Sequence, residues 1–393
     1  MVRVYLQSFA NQVRQWFSQV QATDTGDELS ELPVAWTQQI RQQVEAQSCP
    51  EQYVSEVLAQ LEIAIATWQR TPNASNSLVV LGSPAQPTAQ ILEACLAAEP
   101  SETVKLIRPI SWSMRPQSPQ TLNQQIEQTL NKLPAADDIK ADTDLDLRQT
   151  MVLVPQLEQC FLRCIQGWRG ITHLRDRVGQ SPHLFWLIGC NSWAWAFLDR
   201  VCQISAYFSQ VMMLPKLEAD ALEEWLVPFT QKLTQGRDQD TTAIALGENY
   251  WQNLASLAVG GGTVASELWL RSLRFREDDL PKDIDLESLN GYADEWQDWH
   301  LPLRLVNPIL PSLASLEMSD YYLLHALLIH GSISRDLLAL SLGETESQVQ
   351  AQVQKLLRSH ILQQTQQGLS VQPAHYPKLK TELSSNNFLI GDR

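Results

Sequence analysis

Residues 77–98 read SLVVLGSPAQPTAQILEACLAA, and they say more about the architecture than any other stretch of the chain. The first six residues are apolar up to Gly82 and include β-branched side chains, which predicts a buried strand. Residues 89–98 have helical character, and a loop with two prolines joins the two parts. The stretch therefore predicts a strand, a tight loop and a helix in succession.

The same alternation continues further along the chain. Helical patterns at 119–133 and 157–178 separate three more apolar runs, which predict strands at 104–112, 151–155 and 183–191. Strands that are apolar throughout are typical of a parallel sheet covered by helices on both faces. The sequence thus predicts an α/β core built on a parallel sheet.

The last segment predicts three helices and a hairpin. The helices are expected at 321–331, 334–343 and 345–362, and residues that alternate about Gly368 predict the hairpin. This order is typical of a winged helix-turn-helix. The predicted domains are a helical N-terminal segment at 1–70, the α/β core at 71–235, a helical lid and linker at 236–318, and a winged-helix domain at 319–393.

Composition limits the classes of function. The 393 residues suffice for more than one core, and no window offers the roughly 20 consecutive apolar residues that cross a bilayer. The first residues mix polar and apolar side chains and lack a small-residue cleavage site, so we expect a cytoplasmic protein. The formal charge of −15 disfavours nonspecific nucleic-acid binding. Six scattered cysteines without a CxxC pair indicate reduced thiols and no metal site.

The loop after Gly82 lacks the residues that hold a phosphate. A loop of the form GxxxxGK[ST] cradles phosphates with backbone N–H groups, a lysine and a magnesium-ligating hydroxyl. Here Pro87 replaces the second glycine, Thr88 the lysine and Ala89 the hydroxyl residue. Proline has no N–H, threonine has no charge and alanine cannot ligate magnesium. We therefore expect no cofactor and no metal at this loop, and an ordinary strand-to-helix turn is the alternative interpretation.

Two other strand ends carry residues of interest. The strand at 151–155 ends in Pro155, where a nucleotide hydrolase has a metal-binding Asp, and Glu158 follows three positions later. Glu158 either takes part of that place or is a surface acid favoured at a helix start. Asn191 ends the next strand, where it could orient water beside a γ-phosphate, although Asn is also common in turns. No catalytic residue is predicted.

This order of elements resembles AAA+ ATPases that carry a C-terminal winged helix, of the origin-recognition and signalling types. The resemblance covers residues 50–393 and is carried by the strand, loop and helix at 77–98, the apolar strand at 151, the strand that ends in Asn191, the helical lid and the winged helix. It implies a P-loop NTPase fold, ATP at the loop, magnesium at the second strand end and a polar sensor at the third. Gly82, Glu158 and Asn191 alone match in type. The expected protein is therefore a pseudo-ATPase that acts as an adaptor or regulator and is not a working enzyme.

Interaction residues are predicted in two places. Trp193 and Trp195 either form a surface for another protein or fill the core. On the third helix of the winged helix the candidates are Gln348, Gln352, Lys355 and Arg358. The expected partner is a protein, either an active AAA+ relative or another copy of this chain. The alternatives are a DNA-binding regulator or initiator-like protein that uses the winged helix, since glutamine can read adenine, and a nucleotide binder with an unorthodox loop.

Overall fold

The structure is a computed structural model, and it describes residues 29–46, 49–98, 104–110, 112, 115–134, 148–234, 249–280, 289, 291 and 303–391. The first 28 residues of the predicted N-terminal segment lie outside these ranges. So do residues 236–248, 281–288, 290 and 292–302 of the predicted lid and linker at 236–318. Within the described ranges the strands belong to three sheets. In chain order the strands are β1 (Leu29–Glu31), β2 (Ser77–Gly82), β3 (Lys105–Ile107), β4 (Thr150–Val154), β5 (Leu184–Asn191), β6 (Val211–Met213), β7 (Leu273–Arg276), β8 (Arg304–Leu305), β9 (Leu362–Thr365) and β10 (Gly368–Val371).

The α-helices of the described residues lie before, between and after these strands. In chain order they are α1 (Val34–Ala46), α2 (Glu51–Arg70), α3 (Thr88–Ala98), α4 (Pro119–Leu130), α5 (Arg169–Gln180), α6 (Ser192–Cys202), α7 (Ala219–Thr234), α8 (Tyr250–Leu257), α9 (Gly262–Ser272), α10 (Met318–His330), α11 (Arg335–Leu342), α12 (Glu346–Arg358) and α13 (Tyr376–Ser385).

A parallel sheet forms the centre of the core, as the sequence predicts, and it has five strands where the sequence predicts four. Its strand order is β3-β4-β5-β2-β6, and each neighbouring pair is parallel. Every residue of β2, β4 and β5 is buried, which explains why these strands are apolar throughout instead of alternating. Because β5 lies between β2 and β4, the carboxyl ends of these three strands meet at one edge of the sheet.

Several predicted elements differ from the observed ones. The helix predicted at 157–178 is a short 3-10 turn at Leu157–Gln159, a loop, and then α5. The strand predicted at 104–112 is reduced to β3, and the helix predicted to reach Leu362 ends at Arg358. The loop between the 3-10 turn and α5 places Leu162 in the apolar cluster of the C-terminal helices. That tertiary contact outweighs the local helical pattern.

A small antiparallel sheet, which the sequence does not predict, is separate from the core sheet. It has the order β1-β7-β8 and joins the start of the described chain to the segment after α9. The Arg41 guanidinium on α1 donates to both carboxylate oxygens of Glu267 on α9, at 2.5 and 2.9 Å. Since Glu267 is buried, this two-armed ion pair fixes α1 against α9.

The C-terminal segment contains the predicted order of three helices and a hairpin. Helices α10, α11 and α12 precede the antiparallel pair β9-β10, and α13 follows it. These elements enclose a second apolar cluster, separate from the large cluster that surrounds the parallel sheet. The order agrees with the predicted winged helix, whose role as a docking module stays a prediction. Within the described residues, every helix is too short or too polar to pass through a lipid bilayer.

Candidate functional site at the carboxyl edge of the sheet

The candidate site lies where β2, β5 and β4 end side by side. Gly82 at the end of β2 is the register partner of Asn191 at the end of β5. The end of β4 is equally close, because a side chain at Gly189 of β5 would clash with the carbonyl oxygen of Pro155. The sheet therefore brings together Gly82, Pro155 and Asn191, which lie far apart in the sequence. This is the edge at which parallel α/β sheets bind their ligands.

The loop after Gly82 uses its own backbone N–H groups internally. The Ser83 N–H donates to the side-chain Oε1 of Gln86 at 2.6 Å, and the Gln86 N–H donates to the Ser83 carbonyl at 2.9 Å. The Thr88 N–H donates to the Gln86 carbonyl at 3.0 Å. Pro84 and Pro87 have no N–H to offer. A phosphate needs several convergent donors, and here the Ser83 N–H is already bonded to the amide oxygen of Gln86.

Gln86 is held in this position from outside the loop. Its Nε2 donates to the Tyr53 hydroxyl at 2.8 Å, and the same hydroxyl accepts the N–H of Gly262 at 2.9 Å. Tyr53 is buried on α2, and Gly262 begins α9. The role of Gln86 depends on Tyr53, 33 positions before it, and through Tyr53 on Gly262, far after it. No local pattern marks this residue.

Thr88 stands where a phosphate-binding lysine would be, and it is buried. Its hydroxyl has no hydrogen-bond partner and packs against Gly82, so that a Cβ on Gly82 would collide with it. Ala89 follows in the first turn of α3 and offers no oxygen. The residues present therefore do not fit a nucleotide with magnesium: the loop has no cation, three of its backbone N–H groups already have acceptors, and the Thr88 hydroxyl is packed against the strand.

Glu158 is not a surface acid. It lies in the 3-10 turn after β4 and is buried, and its Oε2 accepts the backbone N–H of Asn191 at 3.2 Å. Burial raises the pKa of this carboxyl from 4.5 to about 7, against hydrogen bonds and the charge of Arg115, which lower it. Among the residues that the structure describes, no group of three His, Cys, Asp or Glu side chains could hold a metal ion.

Both ends of the Asn191 side chain are engaged within the chain. Its Oδ1 accepts the N–H of Ala194 at 2.8 Å and so caps α6. Its Nδ2 donates to the carbonyl of Ile329 at 2.9 Å, near the end of α10. The residue at the sensor-like position therefore joins the core sheet to the C-terminal helices, and its amide is not left facing the loop.

A buried polar cluster extends this joint. Gln159 Nε2 donates to the His330 carbonyl at 3.1 Å, and Arg115 Nη2 donates to the Glu158 carbonyl at 2.8 Å. The His330 ring has no exposed surface, and its Nε2 accepts the backbone N–H of Arg163 at 3.3 Å. Desolvation lowers the pKa of His330 well below its ordinary value, so the ring is neutral. The carboxyl edge is thus covered by the end of α10 from the same chain.

The two tryptophans predicted as interaction residues are internal, which corrects that prediction. Trp193 has no exposed surface, and its ring lies 5.7 Å from the ring of His325 and 6.2 Å from that of Tyr376. Trp195 is 8% exposed and packs edge-on against Phe208 at 5.8 Å. Trp193 therefore fills the contact between the core and the C-terminal helices, and Trp195 fills the core. Both tryptophans therefore follow the alternative interpretation, in which they fill the interior.

The interaction residues predicted on α12 are divided between structural and exposed positions. Gln348 completes a capping box with Thr345 at the start of the helix. Lys355 Nζ lies 2.6 Å from the carboxylate of Asp320, which is buried on α10. Gln352 is half-buried and Arg358 is exposed. Because Lys355 is engaged within the domain, the helix offers less positive charge to DNA than its sequence indicates.

Comparisons with known proteins identify no family. No protein-family model matches the sequence, and no curated protein sequence matches it. Among solved structures, Cdc6p from Pyrobaculum aerophilum is 14% identical, with a TM-score of 0.36 over 86% of this chain and 94% of that chain.

Two further solved structures are similar in the same way. The RuvB Holliday junction branch migration motor of Thermotoga maritima is 15% identical, with a TM-score of 0.33 over 83% of this chain and 93% of that chain. A chain of the HORMA:CdnC:Trip13 complex of E. coli MS115-1 is 9% identical, with a TM-score of 0.32 over 59% of this chain and 80% of that chain. Nothing about activity follows from similarity at these scores.

Proposed function

We propose that this protein is a catalytically silent, AAA+-like adaptor or regulatory protein that acts through contacts with other proteins. The observation that carries the proposal is the use of the carboxyl edge of the sheet within the chain itself. Asn191 at the end of β5 binds α10, and Glu158 after β4 binds the backbone of β5. Gln86 fills the loop after β2. Each position that would serve a nucleotide serves the fold instead.

The energetics of phosphate binding support the same conclusion. Phosphoryl transfer depends on positive charge and preorganised donors around the phosphates, since the protein does little covalent chemistry. The described loop from Ser83 to Thr88 holds no cation, and three of its N–H groups already have acceptors. Binding a triphosphate would break those bonds without a compensating charge. We therefore expect neither tight binding nor turnover.

Nucleotide binding is the first test. We expect no heat of binding in calorimetry with ATP and magnesium, no rise in melting temperature and no release of phosphate. A ligand at 100 times its Kd stabilises a protein by about 2.7 kcal/mol, so even binding in the micromolar range would be visible as a thermal shift at millimolar ATP. Micromolar binding together with turnover would overturn the proposal.

The adaptor role is tested by identifying the proteins that bind this chain. Affinity purification of the full chain should retain a protein partner in a fixed ratio, either an active AAA+ relative or a second copy of this chain seen by light scattering. The same preparation is passed over DNA at low and high salt, because retention that falls steeply with salt is the mark of phosphate contacts. Salt-dependent retention on DNA without any protein partner would favour the DNA-binding alternative.

A further inference from the structure

The end of the described chain crosses from the C-terminal helices to the core. Helix α13 ends at Ser385, and residues 387–391, called the strap below, follow it. The Asn387 and Phe388 N–H groups donate to the carbonyls of Ser384 and Leu383, at 3.1 and 3.0 Å. Asn387 has a φ of +60°, a left-handed conformation that Asn tolerates better than most residues and that reverses the chain. The strap then leaves α13 in a new direction.

The first part of the strap lies on α10. The ring of Phe388 is 5.2 Å from that of Tyr322 and 5.1 Å from that of His325. His325 Nε2 donates to the carbonyl of Leu389 at 2.8 Å, while its Nδ1 lies 3.1 Å from an Arg163 guanidinium nitrogen. Burial lowers the pKa of His325 to about 4, so the imidazole is neutral and can serve both bonds at physiological pH.

The last part of the strap lies on α6. Gly391 approaches the carbonyl of Ser192 and the N–H of Trp193 so closely that a single methyl group at this position would collide with the backbone. Ser192 and Trp193 follow Asn191 directly, so the strap reaches the carboxyl edge of the sheet. Only glycine fits this approach, which fixes the position of the strap across α6 and α10.

The surface between α6 and α10 that the strap covers, called the groove below, is more completely buried than the strap itself. It includes Trp193, which is fully buried, and His325, which is 6% exposed, whereas every strap residue from Phe388 to Gly391 is only half-buried. The strap has the sequence NFLIG and carries no charged side chain. The groove therefore matches an uncharged extended segment, and its own occupant leaves part of its apolar surface in water.

We propose that the groove between α6 and α10 is a peptide-binding site, closed here by the strap, which a partner protein enters with an extended segment carrying an aromatic residue, two aliphatic residues and a glycine. The chemistry of the partner segment is taken from the segment that the groove holds. This inference deepens the adaptor function and rests on it, since it gives the adaptor a docking site and a means of closing it. Release of the strap also removes one of the contacts that hold α10 over the carboxyl edge.

The test uses the chain without residues 387–393 and a fluorescent peptide, NNFLIGDR, that copies residues 386–393. Fluorescence anisotropy should show saturable binding to the shortened chain. The intact chain should bind at least about tenfold more weakly, because a strap closed nine-tenths of the time leaves one-tenth of the molecules competent. A peptide with Phe388→Ala should lose this binding. A folded shortened chain that leaves the peptide unbound would overturn the proposal, as would equal binding by both chains.

A second variant keeps the test independent of the deletion. Gly391→Ala in the intact chain should expel the end of the strap and bring peptide binding towards that of the shortened chain. Gly179→Ala is the matched control, because a Cβ at Gly179 meets nothing within 4 Å. If Gly391→Ala binds the peptide no better than Gly179→Ala, the strap does not close the groove. None of these measurements involves ATP, so the groove and the absence of catalysis are tested separately.

Discussion

Gly82 ends β2 at a place where no side chain fits. The Thr88 hydroxyl packs against it, so Gly82→Ala introduces a collision inside a fully buried strand end. We expect this variant to be destabilised by about 1–3 kcal/mol, the usual cost of overpacking a core. Urea unfolding followed by circular dichroism measures the change.

Two comparisons show whether the Thr88 contact causes that loss. Adding Thr88→Ala to Gly82→Ala removes the hydroxyl and should recover part of the stability, a coupling that a double-mutant cycle measures. Gly179→Ala, with open space around it in α5, should hold or raise the stability, since Ala is the better helix former. Gly82→Ala at full stability would mean that the loop can move away, and the closed-loop argument would then fail.

Glu158 makes the stability of the protein depend on pH, and the direction of this dependence follows from its pKa. Its pKa is raised from 4.5 to about 7, so between these values the folded state holds a proton that the unfolded state has released. Stability therefore falls as pH rises through this window, and the contribution of the protonated carboxyl is lost above about pH 7. Glu158→Gln cannot ionise but still presents an oxygen to the Asn191 N–H.

The comparison of Glu158→Gln with the unaltered chain isolates this group. The free energy of unfolding of the variant minus that of the unaltered chain should rise from about pH 5 to about pH 7 and then level off. Urea titrations across this range measure it. A difference that stays flat, or that falls with pH, would show that the carboxylate is already ionised in the folded protein near pH 5.

At the scale of the element, α12 has the sequence of a possible DNA-binding helix, yet one of its cations pairs with a carboxylate of its own domain. Lys355 pairs with the buried carboxylate of Asp320 at 2.6 Å, and Asp320 also accepts the Glu317 N–H at 2.8 Å. Lys355→Ala leaves a buried carboxylate with one partner fewer. We expect a loss of about 1 kcal/mol, below the cost of a fully buried pair because Lys355 itself is partly exposed.

Arg358→Ala on the same helix is the matched control. Arg358 is exposed, and its removal should change the stability by less than about 0.5 kcal/mol. Thermal unfolding of both variants separates the two roles. Both variants could instead weaken retention on DNA equally and leave stability unchanged. Lys355 would then be a phosphate contact, and its ion pair with Asp320 would contribute nothing to stability.

Elements that leave a pattern in their own residues could be predicted from the sequence. Elements that form only through contacts with distant residues could not. Strands β2, β4 and β5 are continuous apolar runs, and their burial on both faces leaves that mark. The three-residue β6 and the sheet β1-β7-β8 have no comparable mark, since short strands depend on a neighbour for their hydrogen bonds. The helix predicted at 157–178 is wrong because Leu162 leaves the helical pattern to join the C-terminal cluster.

At the scale of the whole molecule, the sequence predicts which strand ends form the candidate site but not the contacts that cover it. Parallel pairing brings strand ends together, so Gly82 and Asn191 could be placed at one edge in advance. The sequence could not show what covers that edge. Gln86 depends on Tyr53, and the joint between Gln159 and His330 spans 171 positions. Each of these bonds exists only after the C-terminal helices and α2 have packed against the core.

One hydrogen bond between the core and the C-terminal helices can be removed by a change at Asn191. Asn191→Asp keeps an oxygen to cap α6 but loses the Nδ2 donor and sets a carboxylate oxygen against the Ile329 carbonyl. Asn191→Ala loses the cap as well. In hydrogen exchange, both variants should speed exchange near the end of α10 and in the strap, and Asn191→Ala alone should also speed it in the first turn of α6. The cost of Asn191→Asp should be about 1–3 kcal/mol, the penalty for an unsatisfied buried carbonyl. Unchanged exchange in α10 for both variants would mean that the C-terminal helices are held over the sheet by packing alone, and that Asn191 is only a helix cap.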